Sequence, residues 1–451
     1  MPSLFRVLQS KPSKNMESGE PFLQIPPQQP FEEETSPCYD AIKFYPAKLY
    51  EILNNRYELV AKLGWGATST VWLAKDLKKW RRRPTRFVAI KITKQDFQTP
   101  YTTKGSANEL EMTRTIANAN SKDPGRMFVS TILDSFETSS PFGGMHMCMA
   151  FEPLCEPLWL LQQRFHENVI PLRFMKLLCM MILEGLRFLH EECRIIHTDL
   201  KSDNIMMSLR DASVLEDLAN AESISPTPRK LLWDRTIYMS RYGYASKTKY
   251  LGRPMITDFG LAVRGDGPLL YHAIQPNEYR APEVILGAEW NYAVDIWNLG
   301  ALLWDLTTGA GPFDLPENSD PAKFSSARHM ARMISILGYP RSDMLRRGRA
   351  TSRYFDKKGT FRYLDVLRSY GGPGDGIARH FPPLHNETEE DREMFIAFLS
   401  RMLKWRPEDR SNAANLLEDP FLKISMGTLN GKEALKGKER KPRSWLSTEK
   451  I

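Results

Sequence analysis

The sequence predicts an α+β fold of two lobes, a small β-rich lobe followed by a larger helical one. Three observations predict it: alternating apolar and polar residues around glycines after Tyr57, a hairpin of further strands up to Glu152, and Leu/Met/Phe-rich helical runs from Leu172 onward. With 451 residues, of which 42% are hydrophobic, the chain is long enough to bury a large core.

The first strands of the small lobe enclose a glycine turn. The run Y-E-L-V-A-K-L-G-W-G-A-T-S-T-V-W-L-A-K-D from Tyr57 predicts strand, turn and strand. Its two glycines permit positive φ and let backbone N–H groups approach phosphate oxygens closely. The segment F-V-A-I-K predicts a further strand that ends at Lys91. A lysine at the end of an apolar strand is expected to be buried against a counter-charge.

A predicted helix after this strand supplies the counter-charge. The run N-E-L-E-M-T-R-T-I-A-N has helical spacing, and the apolar residues around Glu109 would turn that side of the helix inward. We therefore expect Glu109 to pair with Lys91. Glu111 remains the alternative partner, because one helical turn presents both carboxylates.

Two short stretches of the helical lobe carry the polar side chains that phosphoryl transfer needs. The run I-I-H-T-D-L-K-S-D-N contains Asp199, Lys201 and Asn204, and the later run M-I-T-D-F-G contains Asp258. Asp199 would accept the proton of an attacking hydroxyl, and Lys201 would reach the transferred phosphate as a point charge. Asn204 and Asp258 would supply the hard oxygen ligands that Mg²⁺ favours.

In this order, the motifs resemble those of the eukaryotic protein kinases. The glycine-rich loop, V-A-I-K, H-x-D-L-K-x-x-N, D-F-G and A-P-E follow one another between about Tyr57 and Leu422. The wording L-G-W-G-x-x-S-T-V-W-L, H-T-D-L-K and I-Q-x-x-x-Y-R is most similar to the SR-protein kinases of fungal type, which phosphorylate Arg/Ser-rich splicing factors. The resemblance implies a serine/threonine kinase that uses ATP and Mg²⁺ and acts on a protein substrate, with such splicing factors as candidates.

The resemblance also divides the chain. It implies a kinase domain over 57–422, with a small lobe over 57–152, a large lobe over 153–422 and a spacer insertion over about 209–251. The insertion is indicated because Asp258 follows Asn204 by 258 − 204 = 54 positions, more than a short hairpin needs. The residues expected to bind ATP are Leu63, Gly64, Trp65, Gly66, Val71, Ala89, Lys91, Glu109, and Glu152 and Leu154 through their backbone groups.

Two pairings outside the cleft are expected to hold the large lobe. Glu283 of A-P-E would form a buried bridge with Arg410, and Asp295 would accept hydrogen bonds from the backbone of the catalytic loop. Thr198 stands where many relatives have an arginine that meets a phosphate on the activation segment. We therefore expect activity without phosphorylation of that segment.

The two ends of the chain differ from its middle. Residues 1–47 contain Q-I-P-P-Q-Q-P and E-E-E-T-S-P and predict a mostly flexible arm. Residues 427–451 carry seven Lys/Arg against three Glu, so that 7 − 3 = +4 of the total +8 lies in this tail. A solvated basic tail is favoured over a nucleic-acid site. We expect a monomer without membrane or direct nucleic-acid contacts.

The remaining sequence features bear on compartment, substrate and activity. Five cysteines without metal-binding spacing indicate reduced thiols, and hence the cytoplasm or the nucleus. The stretch P-R-S-D-M-L-R-R-G-R-A-T-S-R-Y is basic where the splicing-factor kinases place docking acids, which leaves the substrate class open. A catalytically silent scaffold is the alternative function, although the lysine, the base and the metal carboxylate are all present.

Overall fold

The computed structural model describes residues 22–37, 39–78, 85–95, 106–120, 122–241, 250–313, 325–384 and 387–423. They form a small lobe built on a six-stranded sheet and a larger lobe built mainly of helices, which confirms the expected α+β architecture. The first part of the predicted arm, residues 1–21, and the tail 427–451 lie outside the described residues. No helix within these ranges has the length and apolar content needed to cross a membrane.

The small lobe is an antiparallel sheet. Its strands are β1 Ile52–Leu53, β2 Tyr57–Gly66, β3 Ser69–Asp76, β4 Arg86–Thr93, β5 Ile132–Ser139 and β6 Met145–Phe151. They lie in the order β1-β2-β3-β4-β6-β5. Leu59, Ile90 and Cys148 are fully buried in its core, because apolar residues alternate along these strands. Cys148 packs as a small hydrophobe and forms no disulfide.

The two glycines of β2 do not use the backbone freedom that the sequence suggested. Gly64 pairs with Val71 and Gly66 with Ser69, and neither glycine has a positive φ. Glycine permits positive φ at these positions, but antiparallel pairing keeps both residues extended. A Cβ at either position would meet no atom within 4 Å. The glycines therefore leave open space beside the strand.

One helix of the small lobe carries a predicted site residue. This helix, α1, spans Ser106–Asn118 and contacts β5. At its carboxyl end Arg126 donates to the carbonyl oxygens of Ile116 and Ala117, each at 2.9 Å. These bonds satisfy carbonyl groups that a helix end otherwise leaves without partners. The end of α1 is thus tied to the chain that leads into β5.

The large lobe is a helical core with short strands at the cleft. Its helices are α2 Leu158–Gln162, α3 Leu172–Arg187, α4 Ser213–Ile224, α5 Pro282–Leu286, α6 Ala293–Thr308, α7 Ser326–Leu337, α8 Ser342–Arg347, α9 Leu364–Ser369, α10 Ile377–His380, α11 Glu389–Ser400 and α12 Ala413–Leu417. Its strands are β7 Leu154–Pro157, β8 Ile195–Ile196, β9 Ile205–Leu209, β10 Arg229–Leu231, β11 Thr236–Tyr238, β12 Leu251–Ile256 and β13 Val263–Arg264. The helix α6 is apolar on nearly every side and lies in the core.

The expected bridge in the large lobe forms. The Arg410 guanidinium donates to Glu283 Oε1 at 2.6 Å and to Oε2 at 2.7 Å, and both side chains are fully buried. Arg410 also donates to the Ala293 carbonyl oxygen at 2.9 Å, at the start of α6. This bidentate pair joins α5 to α6 and to the chain before α12.

The expectation of a flexible arm is wrong for residues 22–37. Ile25 is buried with Ile237 of β11 in a small apolar cluster. The Lys62 ammonium, on a side chain 2% exposed, binds the Glu33 carboxylate. Composition misled here because it counted apolar residues, whereas a buried charge pair and the inserted spacer provide the surface against which this segment folds.

The spacer insertion is folded over its described part. It begins and ends at a strand pair, because Leu209 of β9 is paired with Leu251 of β12. Between them lie α4 and the antiparallel pair β10 and β11, while residues 242–249 lie outside the described residues. Leu215 and Leu218 of α4 pack against apolar side chains of β2, β3 and β4. The polar, turn-rich insertion is thus fastened to the small lobe.

Candidate active site

Lys91 lies between two carboxylates that share its ammonium group. The strand β4 carries it, directly across from Val71 of β3. Its Nζ donates to Glu109 Oε1 at 2.6 Å and to Asp258 Oδ1 at 3.0 Å. Burial by itself would lower the pKa of Lys91, but Asp258 and Glu109 outweigh it and raise that pKa above its ordinary value. The two carboxylates therefore favour the charged form of Lys91.

The helix α1 places Glu109, and not Glu111, beside Lys91. Glu109 is 3% exposed in the first turn of α1, whereas Glu111 is exposed to solvent. Burial raises the pKa of Glu109, and the Lys91 ammonium opposes that rise. The charge of this carboxylate thus depends on the lysine.

The loop that carries Asp199 is held by Asp295 of α6. Asp295 is fully buried, and it accepts the His197 N–H at 2.8 Å and the Thr198 N–H at 2.9 Å. His190 Nε2 lies 2.9 Å from the same carboxylate. Thr198 has a φ of +68°, a conformation that a non-glycine residue keeps only when its surroundings fix it. The expected hydrogen bonds from the loop to Asp295 therefore form.

Asp199, Lys201 and Asn204 meet around one carboxylate oxygen. Lys201 Nζ lies 3.0 Å from Asp199 Oδ2, and the Asn204 amide nitrogen donates to that oxygen at 2.9 Å. No group in the described chain donates to Asp199 Oδ1. Burial raises the pKa of Asp199 and Lys201 lowers it, which leaves a net rise. One oxygen is anchored and the other is available to a hydroxyl group.

Asn204 and Asp258 bring oxygen atoms to the same region. Thr257, just before Asp258, donates its N–H to the Asn204 carbonyl oxygen at 2.8 Å. Desolvation would raise the pKa of Asp258, but the Lys91 ammonium lowers it to about 2. In the described ranges no group of three or more His, Cys, Asp or Glu could hold a metal ion. One amide and one carboxylate oxygen suit a divalent ion whose other ligands are phosphate and water.

The expected nucleotide-binding residues of the sheet share one face. Gly64, Val71 and Lys91 are paired in a row across β2, β3 and β4. Ala89 lies two residues before Lys91 on β4, so its side chain is on the same face. Leu63 packs at the edge of this face against the cluster that contains α4.

Two of the expected residues do not turn their side chains toward this face. Trp65 pairs with Thr70 and directly follows Gly64. Because successive residues of a strand point to opposite faces, its side chain lies on the other side of β2. The Glu152 carboxylate forms an exposed ion pair with Arg86 at 2.9 Å. Trp65 and Glu152 can therefore serve this face only through their backbone, as Leu154 was expected to do at the start of β7.

A cleft of about 290 Å³ opens beside Asp199. Thr198, Asp199 and Lys201 form one side of it, and residues 272–276 with Arg280 form the other. We call it the acceptor cleft. Its size and its position beside the free Asp199 oxygen suit a side chain of an extended peptide.

Sequence reasoning did not find the contacts that hold the segment around the acceptor cleft. Arg280 donates to the carbonyl oxygens of Ile274 and Gln275, each at 3.0 Å, and Gln275 has a φ of +70°. Asn108 of α1 donates to the Ala262 carbonyl oxygen at 3.1 Å, which joins α1 to the segment after D-F-G. Main-chain acceptors leave no mark in a side-chain pattern. The motif I-Q-x-x-x-Y-R, which contains Gln275 and Arg280, was the available signal for these contacts.

Comparison with known proteins decides the family. The family model of the protein kinase domain matches residues 57–422, most of the chain. The chain belongs to the protein kinase family. The order of the motifs and the geometry around Lys91 agree with that membership. The kinase also shares its fold with a crystal structure of a kinase domain, with a TM-score of 0.61 at 23% identity, covering 85% of this chain and 100% of that one.

Several curated relatives are similar along nearly their whole length. A serine/threonine protein kinase of Aspergillus fumigatus is 33% identical over 426 residues, covering 93% of this kinase and 97% of the relative. The serine/threonine-protein kinase SRPK of Physarum polycephalum is 32% identical, covering 87% and 91%. SRSF protein kinase 3 of Sus scrofa is 23% identical, covering 87% and 90%. The kinase is a protein serine/threonine kinase, and its similarity to the SR-protein kinases is confirmed.

The choice between two neighbouring carboxylates of α1 can be tested directly. We expect Glu109→Gln to lower kcat/KM for ATP by about 100-fold. Without the carboxylate Lys91 would shift slightly, and the phosphates that it contacts would be misaligned. Glu111→Gln should change it by less than about twofold, as an exposed substitution costs at most about 0.5 kcal/mol. Steady-state kinetics of both purified variants make the comparison. A larger loss in Glu111→Gln would contradict the assignment.

Proposed function

We propose that the kinase transfers the γ-phosphate of ATP to a Ser or Thr hydroxyl of a protein, using the residues around Asp199. The observation that carries the proposal is the Lys91 ammonium bound at once to Glu109 and Asp258. Phosphoryl transfer depends mainly on positioning and electrostatic stabilisation, and a lysine held by a helix carboxylate supplies both. It lies here at the meeting point of β4, α1 and the segment after β12.

In this proposal Asp199 orients the acceptor hydroxyl and takes its proton. Asp199 Oδ2 is bound by Lys201 and Asn204, so the incoming O–H would donate to Oδ1. As the new oxygen–phosphorus bond forms, the bond to the leaving ADP breaks and the proton passes to the carboxylate. The raised pKa of Asp199 favours that uptake. Lys201 would offset charge on the transferred group.

Asn204 and Asp258 would hold Mg²⁺. The Asn204 amide nitrogen makes both contacts to Asp199, which leaves its Oδ1 without a donor in the described chain. Lys91 keeps Asp258 ionised, as a metal ligand must be. When bound, the ion would neutralise charge on the phosphate oxygens.

The inward face of the sheet would hold the nucleotide. Val71 and Ala89 would contact the adenine ring, and the open space at Gly64 and Gly66 would admit the phosphates beneath β2. Backbone groups of the Glu152–Leu154 crossing would pair with the base. Small side chains at these positions leave room that larger ones would fill.

Replacing the proposed base separates catalysis from binding. We expect Asp199→Asn to lower kcat by about 10²- to 10⁴-fold, because an amide cannot take the proton. Its affinity for ATP, measured by calorimetry with Mg²⁺, should change little, because the base acts in the transition state.

The matched control is Asp203→Asn, which alters an exposed carboxylate four residues further along the same loop. It should keep kcat within about twofold of the unchanged kinase. Near-normal turnover by Asp199→Asn would contradict the assignment of the base. An unchanged chain that never consumes ATP, whatever protein acceptor is offered, would favour the scaffold alternative instead.

We also propose that the kinase is active without phosphorylation of its activation segment. Thr198 offers no charge to a phosphate, and its hydroxyl donates to the Leu261 carbonyl oxygen at 2.8 Å. The segment is held by main-chain contacts instead. Val263 pairs with Ile196, and the Gly265 N–H donates to the Arg194 carbonyl oxygen at 2.8 Å. These contacts do the work that a phosphate does in kinases with an arginine at this place.

A phosphatase treatment tests this independence. We expect the dephosphorylated kinase to keep its kcat within about twofold, because the contacts that order the segment involve no phosphate. Intact-mass measurement should show that the phosphate is gone, and a kinase that requires a phosphorylated segment serves as the parallel control. Almost complete loss of activity, recovered on rephosphorylation, would refute the proposal.

For substrates we propose Arg/Ser-rich protein segments. The support is the similarity to SRPK of Physarum polycephalum and SRSF protein kinase 3 of Sus scrofa. Beside the acceptor cleft, the exposed carboxylate of Glu278 could pair with an Arg near the acceptor. On the other side, the Arg349 guanidinium lies 3.6 Å from the centre of the Tyr271 ring. Peptide positions that face Arg349 are therefore expected to exclude Arg.

A positional-scanning library of Ser/Thr peptides tests this substrate class. We expect Arg to be enriched at positions next to the acceptor. Glu278→Gln should reduce that enrichment by about two- to fivefold, since an exposed ion pair contributes up to about 1 kcal/mol. Glu418→Gln, an exposed carboxylate at the end of α12, is the matched control and should leave it unchanged. A library without any basic preference would remove the Arg/Ser proposal.

A further inference from the structure

A second cleft runs along the crossing between the lobes; the proposed catalytic residues do not line it, although it shares Glu152 and Leu154 with the proposed nucleotide site. Its volume is about 890 Å³. The start of β4, the turn before β5 and the facing ends of β9 and β12 form its walls, and Glu152–Leu154 form its floor. We call it the hinge cleft, and its defining residues are Arg86, Lys122, Met127, Leu154 and Arg253.

The hinge cleft contains cations that the described part of the chain does not neutralise. Its two carboxylates already form ion pairs. The Asp123 carboxylate lies 2.7 Å from the Arg187 guanidinium, and the Glu152 carboxylate lies 2.9 Å from the Arg86 guanidinium. Lys122 and Arg253 are exposed, and neither forms an ion pair with an acidic residue of the described chain. The cleft therefore has a net positive charge.

The hinge cleft also has an apolar surface between its charges. Met127 is 48% exposed on one wall, although it is a large hydrophobic residue. Leu154 and Met255 are half-buried, and Val129 is buried beneath them. A bound apolar side chain would remove this surface from water. Charge and apolar surface together suit a peptide more than a small ion.

The walls of the hinge cleft are fixed before any partner binds. Gly125 lies so close to α3 that a Cβ there would be 2.2 Å from the Glu184 carbonyl oxygen. Arg126 donates to two carbonyl oxygens at the end of α1, and Arg253 Nε donates to the Met127 carbonyl oxygen. A preformed surface loses little entropy on binding, which favours recognition of a short segment.

We propose that the hinge cleft docks an acidic linear segment of a partner protein, with an apolar side chain between its carboxylates. The carboxylates would pair with Lys122 and Arg253, and the apolar side chain would cover Met127. Charge complementarity carries this choice of partner. Single-stranded nucleic acid is bound on exposed aromatic surfaces beside cations, whereas Phe87, the aromatic residue that lines the cleft, is only 6% exposed.

A random dodecapeptide library displayed on phage is the probe, selected against the full-length kinase without ATP, so that the result does not depend on phosphate transfer. We expect the selected peptides to be enriched in Asp and Glu around one Leu, Ile, Met or Phe. The affinity of the best peptide, measured by fluorescence polarisation, should fall as salt is added, because salt screens interactions between exposed charges. The double variant Lys122→Glu/Arg253→Glu should lose about tenfold or more in affinity, because like charges then face each other.

The matched control is Lys357→Glu/Lys358→Glu, two exposed lysines in a turn of the large lobe. It should bind the peptide as the unchanged kinase does, and Met127→Gln should weaken binding without a change in charge. Selection without acidic enrichment would overturn the proposal. So would equal losses in the two double variants, or oligouridine RNA displacing the peptide and binding more tightly than it.

Discussion

A single ammonium group joins the three segments that form the cleft of this kinase. Lys91 of β4 is bound by Glu109 of α1 and by Asp258 of the segment after β12. A cation taken out of water is stable only where carboxylates replace the water, so a shift of α1 or of D-F-G would leave a buried charge without its partner. Gly260 lies close to the same carboxylate, since a Cβ there would be 3.3 Å from Asp258 Oδ1.

The large lobe fixes the other half of the cleft by the same means, with the charge reversed. Asp295 is a buried anion, and the backbone N–H groups of His197 and Thr198 supply its hydrogen bonds. The carboxylate and the loop therefore depend on each other. Because the loop is held at these two residues, Asp199 and Asn204 have little freedom of position. Two charges of opposite sign, the half-buried Lys91 and the buried Asp295, thus set the relative positions of the polar groups between them.

The candidate residues whose side chains meet in the cleft could be found from the sequence, because phosphoryl chemistry restricts the residue types and the motifs fix their spacing. Asp199 and Asp258 follow from such motifs, and the inward face of a helix was enough to choose Glu109. Features that depend on the main chain were not predictable in this way. Gly64 shows the reason, since strand pairing sets its φ, whereas the residue type only permits a wider choice. The strained Gln275 is another case.

The error over the N-terminal arm has a more general cause. Low apolar content predicts disorder when a segment must form its own core, but this segment packs against other parts of the chain. Lys62 is buried in β2, a position that would be costly for an unpaired cation, and Glu33 of the arm pairs with it. The arm also packs against Ile237 of the spacer, which lies far away in the chain. Neither piece shows its partner in local composition. Sequence patterns read one segment at a time cannot register such a pairing, whereas an unexplained charge inside a strand can point to it.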